Sequence, residues 1–139
     1  MDKPELVFSD LGVGKKFRTL TYPVTGDLVR TFVEVVGDDN PLYEKGLRDG
    51  AIAPPGLAAI YARLSYLQDH VMPAGGVLAK QEFEFVAPIL VGDTLAVNAE
   101  VVESYVDEKA RKRVTQLIHA RNQKRDVVTT IRLSVIWPK

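Results

Sequence analysis

The sequence predicts an α+β domain in which a curved antiparallel sheet wraps around one central helix. Three observations carry this. Four strand-like patterns crowd the second half of the chain, two helical patterns precede them, and one of those helices is apolar over a wide arc. Alternation with a period of two marks strands with one buried face, whereas recurrence near 3.6 residues marks helices. A sheet with one apolar face needs a cover, and the wide apolar helix is the only long one available.

The elements follow in order. Phe17 to Val24 reads as a first strand, with Pro23 near its end. Thr25 or Gly26 then opens a helix that runs to about Val36. Its Leu28, Val29, Phe32, Val33, Val35 and Val36 keep helical spacing, and Asp27 sits in the favourable first turn. The β-branched content makes this helix weak by propensity, so packing must hold it. Gly37 ends it. Residues 43 to 53 read as a loop containing Gly46 and Gly50. Pro54-Pro55 start a second helix from Gly56 to about Asp69, whose Leu57, Ala58, Ile60, Tyr61, Leu64 and Leu67 predict deep burial. Met72-Pro73-Ala74-Gly75-Gly76 breaks the chain. Strands are predicted over 78–87, 94–105, 112–122 and 126–137. The turns at Pro88…Gly92-Asp93, Asp107-Glu108-Lys109 and Lys124-Arg125-Asp126 predict an antiparallel meander.

Composition narrows the function. A chain of 139 residues with 46% hydrophobic content suits one domain over 1–139. Lys plus Arg equals Asp plus Glu, 18 each, so no overall field recruits nucleic acid or an anionic membrane. Zero net charge mildly favours self-association. The absence of cysteine excludes a disulfide scaffold, a thiolate nucleophile and cysteine-containing zinc sites. The two histidines, His70 and His119, lie far apart in sequence without metal-binding spacing, so no metal is expected. The start of the chain lacks the pattern of a signal peptide, and no apolar run reaches the ~18 residues of a membrane helix. A cytoplasmic location is the expectation.

Three segments are candidates for chemistry. In Gly37-Asp38-Asp39-Asn40-Pro41-Leu42-Tyr43, Asp38 falls just beyond a helix C-terminus, where the dipole disfavours a carboxylate and so suits it to acid–base work. Taken alone, these residues also suit a simple turn before proline. In Ile52-Ala53-Pro54-Pro55-Gly56-Leu57, free N–H groups at a helix start, with Gly56 permitting close approach, suit a carbonyl oxygen gaining negative charge. Taken alone, it is an ordinary proline-led helix start. Phe85-Val86-Ala87-Pro88-Ile89-Leu90-Val91-Gly92-Asp93-Thr94 reads as strand, turn and strand, with no single residue that argues for function.

Order and spacing together resemble the MaoC-like family, the (R)-specific enoyl-thioester hydratases and 3-hydroxyacyl-thioester dehydratases of the hot-dog fold. An amphipathic helix ends in G-D-x-N-P-L, a buried helix opens with Gly, and a strand follows with P-x-x-V-G-D. The resemblance spans about Phe17 to Trp137. It implies that Asp38 is the catalytic carboxylate and that Asn40 orients it or the attacking water. It also implies that Gly56, flanked by Pro55 and Leu57, supplies the N–H that polarises the thioester carbonyl. Such enzymes use an Asp and a His to activate one water, which adds across the 2,3-double bond. Tyr43 stands where that histidine belongs. Tyrosine has an unperturbed pKa of about 10, so it holds a water better than it shuttles a proton. The loop from Tyr43 to Gly56 is also shorter than that of typical single-domain hydratases.

The resemblance implies an acyl-thioester substrate and no cofactor beyond the CoA or phosphopantetheine that the substrate carries. One reading is a working hydratase using Asp38 alone or with Tyr43. The alternative is a non-catalytic acyl-binding subunit beside a partner bearing the full Asp–His pair. A thioesterase would need a carboxylate on the central helix, and residues 56–68 contain none. Exposed sheet edges predict at least a homodimer, or a heterodimer or tetramer with another hot-dog chain. Lys109, Arg111, Lys112 and Arg113 form the strongest basic cluster, either a solvated hairpin tip or a rim for CoA phosphates.

Overall fold

A computed structural model describes residues 2–44 and 48–139. The elements are β1 (Leu20–Pro23), α1 (Gly26–Val36), α2 (Pro41–Glu44), α3 (Leu57–Tyr66), β2 (Val77–Phe85), β3 (Thr94–Val106), β4 (Lys112–Arg121) and β5 (Val127–Trp137). All strand pairs are antiparallel, in the order β1-β3-β4-β5-β2. The sheet and helix arrangement expected from the pattern is present.

The alternating patterns decide which face is buried. Leu95, Val97, Ala99 and Val101 of β3, Val114, Ile118 and Ala120 of β4, and Ile131, Leu133 and Val135 of β5 form one apolar surface. Onto it α3 lays Leu57, Ala58, Tyr61, Ala62, Ser65 and Tyr66. The Tyr61 hydroxyl donates to Thr129 Oγ1 at 2.7 Å inside the core, tying α3 to β5. Tyr22 meets the Tyr61 ring edge-on at 5.6 Å. The N-terminal segment closes one end: Leu6 and Leu11 are buried, and Trp137 Nε1 donates to Leu6 C=O at 2.9 Å.

Several expectations need correction. The meander holds for β3, β4 and β5 only; β2 pairs with β5, so Pro88…Asp93 is a crossover and not a hairpin turn. Its residues 86–93 cross three strand spacings, roughly 14 Å at about 4.8 Å each. That is well within reach of an extended chain at ~3.3 Å per residue. The breaker residues alone could not distinguish the two topologies. The first strand shortens to Leu20–Pro23, although Phe17 N–H still donates to Ala99 C=O at 3.1 Å. The central helix ends at Tyr66, three residues before Asp69, and Pro54-Pro55 precede it instead of occupying its first turn. Nor is it buried all round: Ile60 and Leu64 are each 41% exposed. The loop expected from residue 43 gains the short helix α2, and part of it, including Gly46, lies outside the described residues.

Helix α1 forms as expected and is held at both ends. Thr25 Oγ1 accepts from Leu28 N–H at 3.1 Å, and Gly37, at φ 70°, takes the left-handed turn that ends it. Gly37 N–H reaches Glu34 C=O and Asp38 N–H reaches Val33 C=O, which satisfies the last carbonyls. Only Val29 is fully buried, and Val35 remains 80% exposed. The helix thus lies on the body by one narrow stripe. Among the described residues no helix is long and apolar enough to cross a membrane.

Replacing Tyr61 with Phe leaves Thr129 without its partner in a dry core. The expected loss in unfolding free energy is about 1–2 kcal/mol, measured by urea denaturation with an unchanged m-value.

Candidate active site

The site begins with backbone hydrogen bonds that the crossover makes. Gly92 N–H donates to Val24 C=O at 2.8 Å, and Val24 N–H donates to Asp93 C=O at 2.8 Å, which fixes the entry to α1. Gly50 N–H donates to Val91 C=O and Val91 N–H to Ala51 C=O, each at 2.7 Å. Ala53 N–H then donates to Ile89 C=O at 2.8 Å, fixing the approach to α3. The crossover is itself braced by Asp93. Its Oδ2 accepts from Leu90 N–H at 2.9 Å and its Oδ1 from Gln123 Nε2 at 3.0 Å. The third sequence segment is therefore the clamp that brings the other two together. Asp93 gave no signal of this in sequence beyond its place in P-x-x-V-G-D.

Asp38 emerges from the Gly37 turn half-buried. Its Oδ1 accepts from Asn40 N–H at 3.0 Å, while Oδ2 has no partner among the described residues. The Asn40 side chain is engaged elsewhere: its Oδ1 accepts from Leu42 N–H at 3.0 Å, at the start of α2. Asn40 thus holds Asp38 through its backbone rather than its amide. The single turn of α2 turns Tyr43 inward, where it is 9% exposed. Burial, and then the negative charge of Asp38, push the Tyr43 phenol above its ordinary value. Near neutral pH Tyr43 is a hydrogen-bond donor that does not ionise.

At the other end, Leu57, Ala58 and Ala59 N–H donate to Pro54, Pro55 and Gly56 C=O. The Gly56 N–H has no acceptor among the described residues. Phe32 of α1 explains why this position is glycine: a Cβ there would lie 2.9 Å from Phe32 Cζ. Phe32 links the segments, since α1 covers Gly56 with Phe32 and presents Asp38 at its end. Sequence reading placed Phe32 on the apolar stripe but not at the site. Two apolar grooves flank this helix start. One, about 530 Å³, lies between α1 and α3 and is lined by Leu28, Phe32, Val35, Leu57, Ile60 and Leu64. The other, about 310 Å³, is lined by Ile52, Ala53, Pro55, Phe85, Val86 and Ile89. Pro55 and Leu57 thus stand on opposite sides of Gly56.

The remaining candidates do not join this centre. His119 lies in β4 opposite Asn98 and Thr130. His70 lies beyond the C-terminal end of α3, a helix roughly 15 Å long, whereas Gly56 lies at its start. At the basic hairpin Asp107 Oδ2 accepts from Arg111 Nε at 2.8 Å and from Arg113 Nε at 2.7 Å. Arg113 above all holds that carboxyl well below the usual range, so both guanidinium groups already have an anion. Lys112 Nζ sits 5.8 Å from the Phe8 ring centre. The two guanidinium groups of the hairpin thus share one carboxylate.

Comparison with known proteins agrees with this architecture. Residues 12–131 match the family model described as FAS1-like, dehydratase domain region, and the chain belongs to that family, among the MaoC-like hot-dog proteins. The MaoC-like dehydratase from Rhodospirillum rubrum is 25% identical with a TM-score of 0.73, over 96% of this chain and 98% of that one. The (R)-hydratase from A. caviae involved in PHA biosynthesis is 22% identical with a TM-score of 0.72, covering 92% and 98%. The HadBC complex of Mycobacterium tuberculosis, a (3R)-hydroxyacyl-ACP dehydratase, is 21% identical with a TM-score of 0.73, covering 89% and 96%. No curated protein sequence gives a significant match.

Gly56→Ala is expected to destabilise the fold by about 1–3 kcal/mol through crowding of Phe32. In a Phe32→Leu background that loss should shrink by at least half, a coupling that a double-mutant cycle in denaturant measures directly.

Proposed function

We propose that this chain hydrates 2,3-enoyl thioesters, or dehydrates the corresponding 3-hydroxyacyl thioesters, with CoA or a carrier's phosphopantetheine as the handle. The observation that carries this is Gly56. Its N–H is unclaimed among the described residues, its neighbours Leu57 and Pro55 each line an apolar groove, and the helix whose Phe32 covers it leads at its end to the half-buried Asp38. A thioester carbonyl accepting from Gly56 N–H would be polarised as its oxygen gains charge. Asp38, with Oδ2 unengaged among the described residues, takes a proton from water while the oxygen bonds to C3, and it returns that proton to C2, so that one water is added and the carboxylate ends as it began. Dehydration reverses each transfer. Tyr43 donates to the water or to Asp38 and keeps its own proton throughout. The groove between α1 and α3 takes the acyl tail, and no metal or redox cofactor enters the reaction.

A second reading rests on Tyr43. With a phenol pushed upward where the resemblance implies a histidine, the chain lacks a group that titrates near neutrality beside Asp38. It would then bind the acyl thioester within an assembly whose other chain supplies the Asp–His pair, and HadBC is an example of a dehydratase that forms a complex. The second reading requires at least one further hot-dog chain.

Hydration of crotonyl-CoA by the purified chain, followed as loss of enoyl absorbance, separates these readings. In an autonomous enzyme Asp38→Asn lowers kcat by about 10²-fold or more, as expected for loss of a general base. Tyr43→Phe lowers it by roughly tenfold without altering the pH profile between 6 and 9, because a phenol raised above about 10 stays protonated there. Absence of turnover alone, with turnover restored by a second hot-dog chain, supports the subunit reading. Acyl-CoA binding without turnover in either setting rules out lyase chemistry.

A further inference from the structure

A thioester carbonyl at Gly56 has two arms, the acyl chain and the thiol handle, and two apolar grooves leave Gly56 on opposite sides. The groove between α1 and α3 is the larger, about 530 Å³ against about 310 Å³. On α3 it is bounded by Leu57, Ile60 and Leu64, whose spacing puts them on one stripe of the helix. On α1 it is bounded by Leu28, Phe32 and Val35, a stripe of the same kind. Leu57 is buried, but Ile60, Leu64 and Val35 stay open to water. Large aliphatic side chains left open in a continuous stripe mark a binding surface, whereas scattered ones do not. Asp27 also borders the groove, but its carboxylate accepts from Arg30 at 2.9 Å. Among the described residues, therefore, no unpaired charge lines it.

We infer that this groove makes the chain selective for medium-chain acyl thioesters, with Ile60 and Leu64 as the residues that set the length. The inference rests on the proposed function, which puts the carbonyl at Gly56. Leu64 lies just over two turns beyond Gly56, roughly 12 Å along the helix axis. An extended chain advances about 1.2 Å per bond, so roughly ten carbons run from the carbonyl to the far end of the stripe. Ile60 lies about 6 Å from Gly56 on the same axis, which a four-carbon acyl group does not reach. A short chain therefore leaves both Ile60 and Leu64 in water, and a ten-carbon chain covers both. Full burial of one CH2 is worth about fourfold in affinity, and burial in an open groove roughly twofold. Beyond Leu64 the stripe ends, so further carbons return to water and add little. Length preference should climb to a plateau and then stop.

Calorimetry with saturated acyl-CoAs reads this without turnover. From butyryl-CoA to decanoyl-CoA the Kd should fall at least about 50-fold, and from there to tetradecanoyl-CoA it should change less than about threefold. Leu64→Asn should lower the ratio of decanoyl-CoA to hexanoyl-CoA affinity at least about fivefold. Ile60→Trp fills the groove midway and should bring the plateau down to hexanoyl-CoA. Val13→Ser, at an exposed valine outside the groove, should leave the ratios as they are. Melting curves check that each variant is folded. If Leu64→Asn is not, Val35→Asn, at a largely exposed position on the facing helix, should lower the same ratio. Turnover of crotonyl-CoA with no length preference overturns the groove alone. Preference for decanoyl-CoA with no turnover overturns only the autonomous lyase, and absence of binding by every acyl-CoA overturns both. Affinity that keeps rising to tetradecanoyl-CoA, or ratios indifferent to Ile60 and Leu64, would also overturn the inference. So would a Leu64→Asn variant that loses association with another chain in sedimentation velocity while its length preference stays unmoved.

Discussion

The site depends on one backbone clamp. Ile89 to Asp93 hydrogen-bonds on one side to Val24, at the entry to α1, and on the other to residues 50–53, which lead to α3. Without these bonds neither helix start has a fixed position relative to the sheet, and Phe32 has no reason to meet Gly56. Asp93 braces the clamp with two hydrogen bonds and is 7% exposed. A buried carboxylate holding backbone in this way is costly to disturb, because its partners would be left unpaired out of water. The crossover topology is what makes the clamp available. A hairpin would have spent the same backbone groups on its own strands.

Given that frame, the chemistry reduces to few groups. α1 is a thin lever, with a single fully buried residue, Val29, and capped at both ends. It delivers a carboxylate just past its C-terminal end and an aromatic ring against the Cα of Gly56 at its middle. Tyr43 is brought inward by a single turn whose capping residue, Asn40, also steadies Asp38 through its backbone. The same three residues can therefore be read as a turn and as a site. Their hydrogen bonds serve both.

Ion pairs within the chain temper both charge clusters. Lys109 to Arg113 is the densest basic run, yet Asp107 consumes its two guanidinium groups. Lys80, Glu82 and Glu84 are unremarkable in sequence, yet they line an edge strand beside an uncovered apolar face. Along that strand Lys80 Nζ pairs with Glu82 Oε1 at 2.7 Å, so these charges too are met locally.

The sequence by itself determined the fold class, the capped helix α1, the four later strands to within a residue or two and the identity of the dehydratase family. Periodicity, caps and the G-D-x-N-P-L and P-x-x-V-G-D segments are local signals, written in neighbouring residues. Strand order, the crossover, the partial exposure of α3 and the meeting of Phe32 with Gly56 were decided only by tertiary structure. Each depends on residues tens of positions apart competing for the same backbone groups and the same apolar surface, and a local pattern carries no record of that competition. So it was with Pro88 to Asp93: its residues announced a turn, and only the packed sheet made it the clamp that builds the site.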